Sequence, residues 1–331
     1  MDVQFLIDNI FTLTITGLVL GSVYALVALG YTMVYGVLQL INFAHSEVFM
    51  YGTFAATFTV MALGGTRDTS TGGAILMLLL ALVAAMLVSG AIALVLERVA
   101  YRPLLRRNAP KLVVLISSIG ASFVLAEIMG LRDKITKFVG LDDSLSAYVT
   151  RARNNVQFPD VVDPVRLFKI GDYNVNSIDL LILGSAILMM VGVDQFVRRS
   201  RLGRGIRAVA QDPESAALMG VNSTRVIQVT FLIGGLMAGA AAFFFVLKYT
   251  VTRYDVGFIL GVKAFTAAVL GGIGNLRGAL LGGLILGVAE NYGSALFGTE
   301  WKDVVAFLLL VLILLFRPTG LLGEALGKSR A

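Results

Sequence analysis

The chain has 331 residues, 57% hydrophobic and 15% charged, with no cysteine, one histidine and a net charge of +6. A soluble domain carries about 25% charged residues, and a mean hydropathy of +0.85 lies well outside that regime. Disulfides, thiolate metal sites and multi-histidine metal centres are excluded, and basic residues confined to short loops mark membrane topology rather than a nucleic-acid surface.

Apolar runs long enough to cross a hydrocarbon core of about 30 Å recur along the chain. Crossings are expected at about 10–36, 47–64, 74–96, 112–131, 178–197, 224–248, 258–273, 278–297 and 302–316. The expected fold is therefore an all-α polytopic membrane bundle of eight or nine spans, with 1–331 as one transmembrane domain. The 36 glycines fall largely inside the apolar runs, as expected where helices approach closely in lipid. Met1-Asp2-Val3-Gln4 lacks a basic n-region, so the first span is expected to stay in the mature protein.

Leu40 to Met50 joins the first two spans and carries Asn42, His45 and Glu47. Asn42 is placed to cap the following helix, and Ser46 or Glu47 to meet its first amides. Two readings stand: a broken helix whose amide-bearing end borders a solute path, or a cytoplasmic turn with a capped helix start. His45 alone suits a hydrogen-bonded structural role better than a proton relay.

Arg98, Arg102, Arg106, Arg107 and Lys111 form a basic linker without an acid among them, and Arg198, Arg199, Arg201, Arg204 and Arg207 form a second. Lys/Arg excess in short loops marks the cytoplasm. Two crossings separate the linkers, so both fall on one side. Propagated outward, this places the N-terminus outside and the tail with Arg317, Lys328 and Arg330 inside. Residues 132–177 then form an extracytoplasmic insertion, too polar to span, expected as one or two helices or a hairpin.

Glu127 lies on a span with a small polar stripe, near its outer end, and Glu290 raises the same question in the Gly282–Gly293 span. A carboxylate inside a membrane is a functional-site candidate, here for the translocation path, unless it reaches headgroup water. Asp194 and Arg198, spaced i and i+4, read as an interfacial ion pair. Gly271 to Gly278 holds many glycines but neither a Lys-Ser/Thr ending nor a preceding strand, so it is a turn and not a phosphate loop.

Residues 198–223 form the expected cytoplasmic coupling loop. Asp212 is a good N-cap, Pro213 suits the first helical position, and Glu214 favours the positive end of the dipole. Ser215, Ala216 and Ala217 continue a short turn that Gly220 can end in the left-handed conformation. Such a peg suits insertion into a partner's groove; the alternative is an interfacial turn held at lipid phosphates by arginines.

Glu214-Ser-Ala, three residues and then Gly220 resembles the EAA-x-x-x-G loop of ABC importer permeases, in which a coupling helix sits in a cleft of the ATPase. Ser215 replaces the usual Ala, and the proline-containing continuation is missing, a departure typical of branched-chain amino acid permeases. Gly21-Ser-Val-Tyr-Ala-Leu, Gly36-Val-Leu-Gln-Leu-Ile-Asn-Phe-Ala-His-Ser-Glu, Gly271-Gly-Ile-Gly-Asn-Leu-Arg-Gly-Ala and Arg317-Pro-Thr-Gly-Leu-Leu-Gly resemble the LivH type in order along nearly the whole chain. The resemblance implies a non-enzymatic inner-membrane subunit that binds no cofactor itself. It also implies a LivM-like second permease, two cytoplasmic ATPases carrying ATP and Mg, and an extracytoplasmic solute-binding protein, all among membrane lipids. The implied cargo is a branched-chain amino acid, with urea or a short amide as the alternative. A stand-alone transporter or channel would need coupling carboxylates deep in the spans.

Overall fold

The computed structural model describes residues 3–140, 148–149 and 152–323, so Lys328 and Arg330 lie outside the described residues. Helices α1 (Val3–Asp8), α2 (Ile10–Leu38), α3 (His45–Ala62) and α4 (Thr71–Leu96) come first, and a π-helical turn (Glu97–Tyr101) carries α4 into α5 (Arg102–Arg106). Next are α6 (Lys111–Gly130), α7 (Arg132–Val139) and the strands β1 (Val156–Gln157), β2 (Arg166–Ile170) and β3 (Tyr173–Asn176). The chain continues through α8 (Ser177–Arg199), α9 (Arg201–Gln211), α10 (Pro213–Leu218), α11 (Ser223–Tyr249) and β4 (Val251–Thr252). It closes with α12 (Val256–Gly271), α13 (Leu276–Phe297), a 3₁₀ turn (Thr299–Trp301) and α14 (Lys302–Phe316).

Among the described residues, six helical stretches are long and apolar enough to cross a membrane: Ile10–Leu38, Thr71–Arg106, Lys111–Gly130, Ser177–Arg199, Ser223–Tyr249 and Leu276–Phe297. The helices expected near 47–64, 258–273 and 302–316 form as α3, α12 and α14, with 18, 16 and 15 residues. At about 1.5 Å per residue, α12 and α14 are short against a hydrocarbon core. The chain divides into two compact units, each drawn from separate stretches of sequence. One comprises 1–39, 165–227 and 263–331, the other 40–164 and 228–262.

In the first unit α2 packs against α13 through glycines. A Cβ at Gly21 would sit 2.5 Å from the Gly283 carbonyl oxygen and 2.8 Å from Leu284 Cα, and one at Gly17 would sit 2.7 Å from Val288 Cα. Polar pins reinforce the contact: Asn291 Nδ2 donates to Thr16 Oγ1 (2.9 Å), and the Thr14 and Tyr292 hydroxyls share a hydrogen bond of 2.6 Å. Lipid tails give no hydrophobic drive to helix pairing, so close backbone approach and such pins hold the pair. Gly21→Leu should therefore lower the thermal midpoint sharply in detergent, because overpacking against rigid backbone costs about 1–3 kcal/mol or more. Gly184→Leu on α8 is the control, since nothing lies within 4 Å of its Cβ position; equal effects from both would refute the contact.

The turn between α12 and α13 is closed by 317–323, whose Leu321 and Leu322 amides donate to the Leu270 and Gly271 carbonyls (both 2.9 Å). The last carbonyls of α12 thus find donors that the helix cannot supply. Asn275 then caps α13, accepting from the amides of Arg277 (3.0 Å) and Gly278 (3.2 Å). The expected Asp194–Arg198 pair forms at 2.9 Å, and Arg277 joins it at 3.2 Å.

In the second unit α3, α4 and α11 meet at small residues: a Cβ at Gly52 would meet Ser89, Ala242 and Gly239 within 3.1 Å. Ser89 Oγ also donates to the Val48 carbonyl (2.9 Å). The 132–177 stretch is divided. Its first part contains α7 and β1, which pairs antiparallel with β4 in the second unit. The β2–β3 hairpin belongs to the first unit. Arg132 is buried over the Phe54 ring (5.0 Å) and donates to the carbonyls of Met129 (3.2 Å), Tyr148 (3.3 Å) and Ala152, tying α7 to the end of α6.

Candidate functional site

The structure distributes the candidate residues over three places. The first is the break after α2. Gln39 turns left-handed (φ 50°), and α3 starts at His45, with the amides of His45, Ser46 and Glu47 already bonded to the carbonyls of Asn42, Phe43 and Ala44. Asn42 is therefore not the cap expected of it. Its Oδ1 accepts the Tyr101 hydroxyl (2.8 Å), and the N-cap position falls to Ala44 without a side-chain bond. Ser46 Oγ likewise donates to the Phe43 carbonyl (2.7 Å) instead of receiving an amide. A solute path lined by free α3 amides has no donors left here.

Nor is the segment a turn in solvent. Asn42, His45, Ser46 and Glu47 are all buried. Glu47 Oε1 accepts the hydroxyls of Ser122 (3.2 Å) and Ser46 (3.4 Å). The Phe43 amide donates to Ser118 Oγ (3.4 Å), and Tyr51 donates to the Leu125 carbonyl (3.1 Å). The ascending pairs 43–118, 47–122 and 51–125 show α3 running parallel to α6. Ser122 lies about 16 Å along α6 from Lys111 at the standard rise, so Glu47 sits opposite the helix midpoint.

The second place is a charged cluster in the first unit. Glu290, 2% exposed, accepts the Tyr24 hydroxyl at Oε2 (2.9 Å) and Lys263 Nζ at Oε1 (2.8 Å). Lys263, 6% exposed, also reaches Asp303 Oδ1 (2.7 Å) and lies 6.0 Å over the Tyr24 ring. Sequence reasoning singled out Glu290 but missed Lys263, Tyr24 and Asp303. One signal was available: a lone lysine inside the apolar run Phe258–Leu270 needs an anionic neighbour. Glu127, by contrast, stands half exposed at the end of α6 and pairs with Arg153.

The third place is the peg. Asp212 Oδ1 accepts the amides of Glu214 (2.9 Å) and Ser215 (3.1 Å), and Oδ2 accepts the Ser215 hydroxyl (2.5 Å). Pro213 opens α10 and Ala216 is buried beneath it. Gly220 (φ 81°) ends the helix, its amide bonding to the Ala217 carbonyl and that of Val221 to Ala216 (both 3.0 Å). This is the left-handed termination expected of Gly220, and Asn222 then caps α11 at the Arg225 amide (3.0 Å). Leu218 and Met219, 89% and 85% exposed, project from the tip.

Preceding the peg, the basic stretch 198–207 spans the end of α8 and the start of helix α9, whose Gly203, Ile206 and Val209 at i, i+3 and i+6 form a buried face. Chiefly through its hydrogen bond from Ser215, Asp212 holds its carboxyl below the ordinary 3.8. A depressed carboxylate stabilises the cap above that ordinary value and loses it as pH falls through the lower folded one. Asp212→Ala should accordingly speed amide exchange over 214–217 at neutral pH and leave α13 unchanged. Unaltered exchange over the peg would remove the cap from the account.

A bundle of membrane-length helices with buried, partnered charges and one short capped helix held in the open defines a membrane transport subunit. The family described as branched-chain amino acid transport system / permease component matches residues 13–314, and the chain belongs to it. It is 43% identical to the high-affinity branched-chain amino acid transport system permease protein BraD of Pseudomonas aeruginosa, covering 94% of each chain. Against LivH of Escherichia coli K12 it is 42% identical over 93% of this chain and 94% of the relative. The fructose import permease FrcC of Rhizobium meliloti matches over only 35% of this chain, at 32% identity.

Proposed function

We propose that this chain is the permease subunit of an ABC importer that moves branched-chain amino acids across the cytoplasmic membrane. Near-full-length similarity to permeases so named supports the cargo. The observation that carries the mechanism is α10, capped at both ends and presenting Leu218 and Met219 to solvent.

In this reading 198–223 faces the cytoplasm, where the basic residues around it belong, and α10 seats in a partner ATPase. Two such ATPases bind ATP and Mg, a second permease completes the path, and an extracytoplasmic binding protein delivers the solute to the side bearing 132–177. A short rigid helix between α9 and α11 passes ATPase closure to the attached spans. An apolar cargo needs only a small-walled cavity with a few polar groups for its charged ends.

ATP-dependent uptake by the reconstituted system of both permeases, the two ATPases and the binding protein, offered leucine, valine, isoleucine and urea in parallel, tests the proposal. Accumulation of the three aliphatic amino acids is expected. Uptake of urea alone, or uptake without the ATPases, would overturn it.

A further inference from the structure

Glu47 is buried to 1% exposure, yet only half of its carboxylate is used. Oε1 takes both hydroxyl donors, while Oε2 has no hydrogen-bond partner among the described residues. Leaving a buried acceptor unmade is expensive, and a native structure that tolerates one calls for an explanation. No ion pair to Glu47 forms among the described residues. Arg253, four residues before Gly257, is bound to Asp255. The two hydroxyl donors by themselves do not require a carboxylate, because a glutamine would accept them equally well.

What covers Oε2 is backbone. A Cβ at Gly257 would lie 3.0 Å from Oε2 and 2.5 Å from the Ser46 carbonyl oxygen, so the start of α12 rests directly on the free oxygen. Only a residue without a side chain allows that approach. The cover is also the first turn of a 16-residue helix, and it supplies none of the hydrogen bonds that join α3 to α6. Glu47 itself stays fixed by Ser46, Ser122 and the first turn of α3, whose dipole favours a negative charge at that position.

A fixed carboxylate opposite the midpoint of a membrane-length helix, with one unused oxygen against a glycine, can accept a cation that arrives when that glycine moves away. Resting on the importer reading above, we propose that Glu47 receives the α-ammonium group of the amino acid in transit. Withdrawal of Gly257 frees Oε2, which accepts an N–H from the passing zwitterion. Return of the glycine takes that space back and releases the cargo. The apolar side chain needs no such partner, so one carboxylate distinguishes an amino acid from an uncharged amide of the same size.

The test uses the complete transporter in proteoliposomes. Glu47→Gln should cut leucine uptake about ten- to hundredfold, the loss expected when a charge-assisted hydrogen bond to a buried ion is removed. Glu47→Asp should retain part of it. Uptake by Glu47→Gln at the wild-type rate overturns the assignment of Glu47 alone, whereas absence of leucine uptake by the wild type overturns it together with the importer reading.

Wild-type protein supplies a second measurement, should Glu47→Gln fail to assemble. Modification of Glu47 by dicyclohexylcarbodiimide, read by mass spectrometry, should occur during ATP turnover and be slowed about tenfold or more by saturating leucine, again the scale of one charged hydrogen bond. Equal rates with and without leucine, or no modification during turnover, overturn the proposal. Glu290, held by Lys263 and Tyr24, is the internal reference.

Discussion

Gly220→Val should leave a folded permease that no longer imports. Gly220 sits at φ 81°, which a β-branched residue resists. An L-residue in the left-handed region costs roughly 1–2 kcal/mol, or about five- to thirtyfold in a coupled equilibrium. No Cβ clash adds to this, since nothing lies within 4 Å of the Gly220 Cβ position. The effect should therefore stay local, re-aiming Leu218 and Met219 and disturbing the hand-over from α10 to α11. Co-purification of the ATPase and leucine uptake should fall together while the thermal midpoint holds. Glu214→Lys, which puts a cation at the positive end of the helix, should act in the same direction more mildly. Normal ATPase retention and normal uptake in Gly220→Val would end the coupling role of α10.

Lys263→Met should be the most destabilising single charge removal in the first unit. Breaking a buried ion pair from one side costs about 3–5 kcal/mol, because the remaining charge is left uncompensated. Here Glu290 would keep only the Tyr24 hydroxyl, and Asp303 would lose its clamp on α12. The thermal midpoint in detergent and the yield of folded protein should both drop. Lys263→Met with Glu290→Gln should recover much of the loss, since a neutral amide still accepts from Tyr24 and leaves no bare ion. A double variant as unstable as the single one would refute a paired-charge origin.

Much of this architecture was legible because membrane helices announce themselves by length and apolarity. The expected segment 302–316 coincides with α14, and Asp212, Pro213 and Gly220 spell out the ends of α10 in local chemistry alone. Local rules failed where a partner lay far along the chain. Asn42 looks like a cap, but the Tyr101 hydroxyl, delivered by the π-helical turn at the end of α4, claims its oxygen first. The Glu290–Lys263 contact needs the relative register of α12 and α13, which no window of sequence contains. The pairing of β1 with β4 rests on two residues in each strand, too few for any alternation to show. Leu218 and Met219 read as ordinary apolar positions until the structure left them uncovered.

The division of the chain also sets an order of birth. Residues 40–262 include everything the second unit uses, so that unit can assemble while synthesis is still under way. Helix α2 leaves the ribosome early, but its glycine face has to wait for α13 at 276–297, and the carbonyls ending α12 wait for 321–322. Until then α2 can meet α8 and α9, but its glycine face stays unmated. A chain released after residue 262 should therefore carry a protease-resistant second unit beside an α2 whose glycine face is still open to chaperones and quality-control proteases.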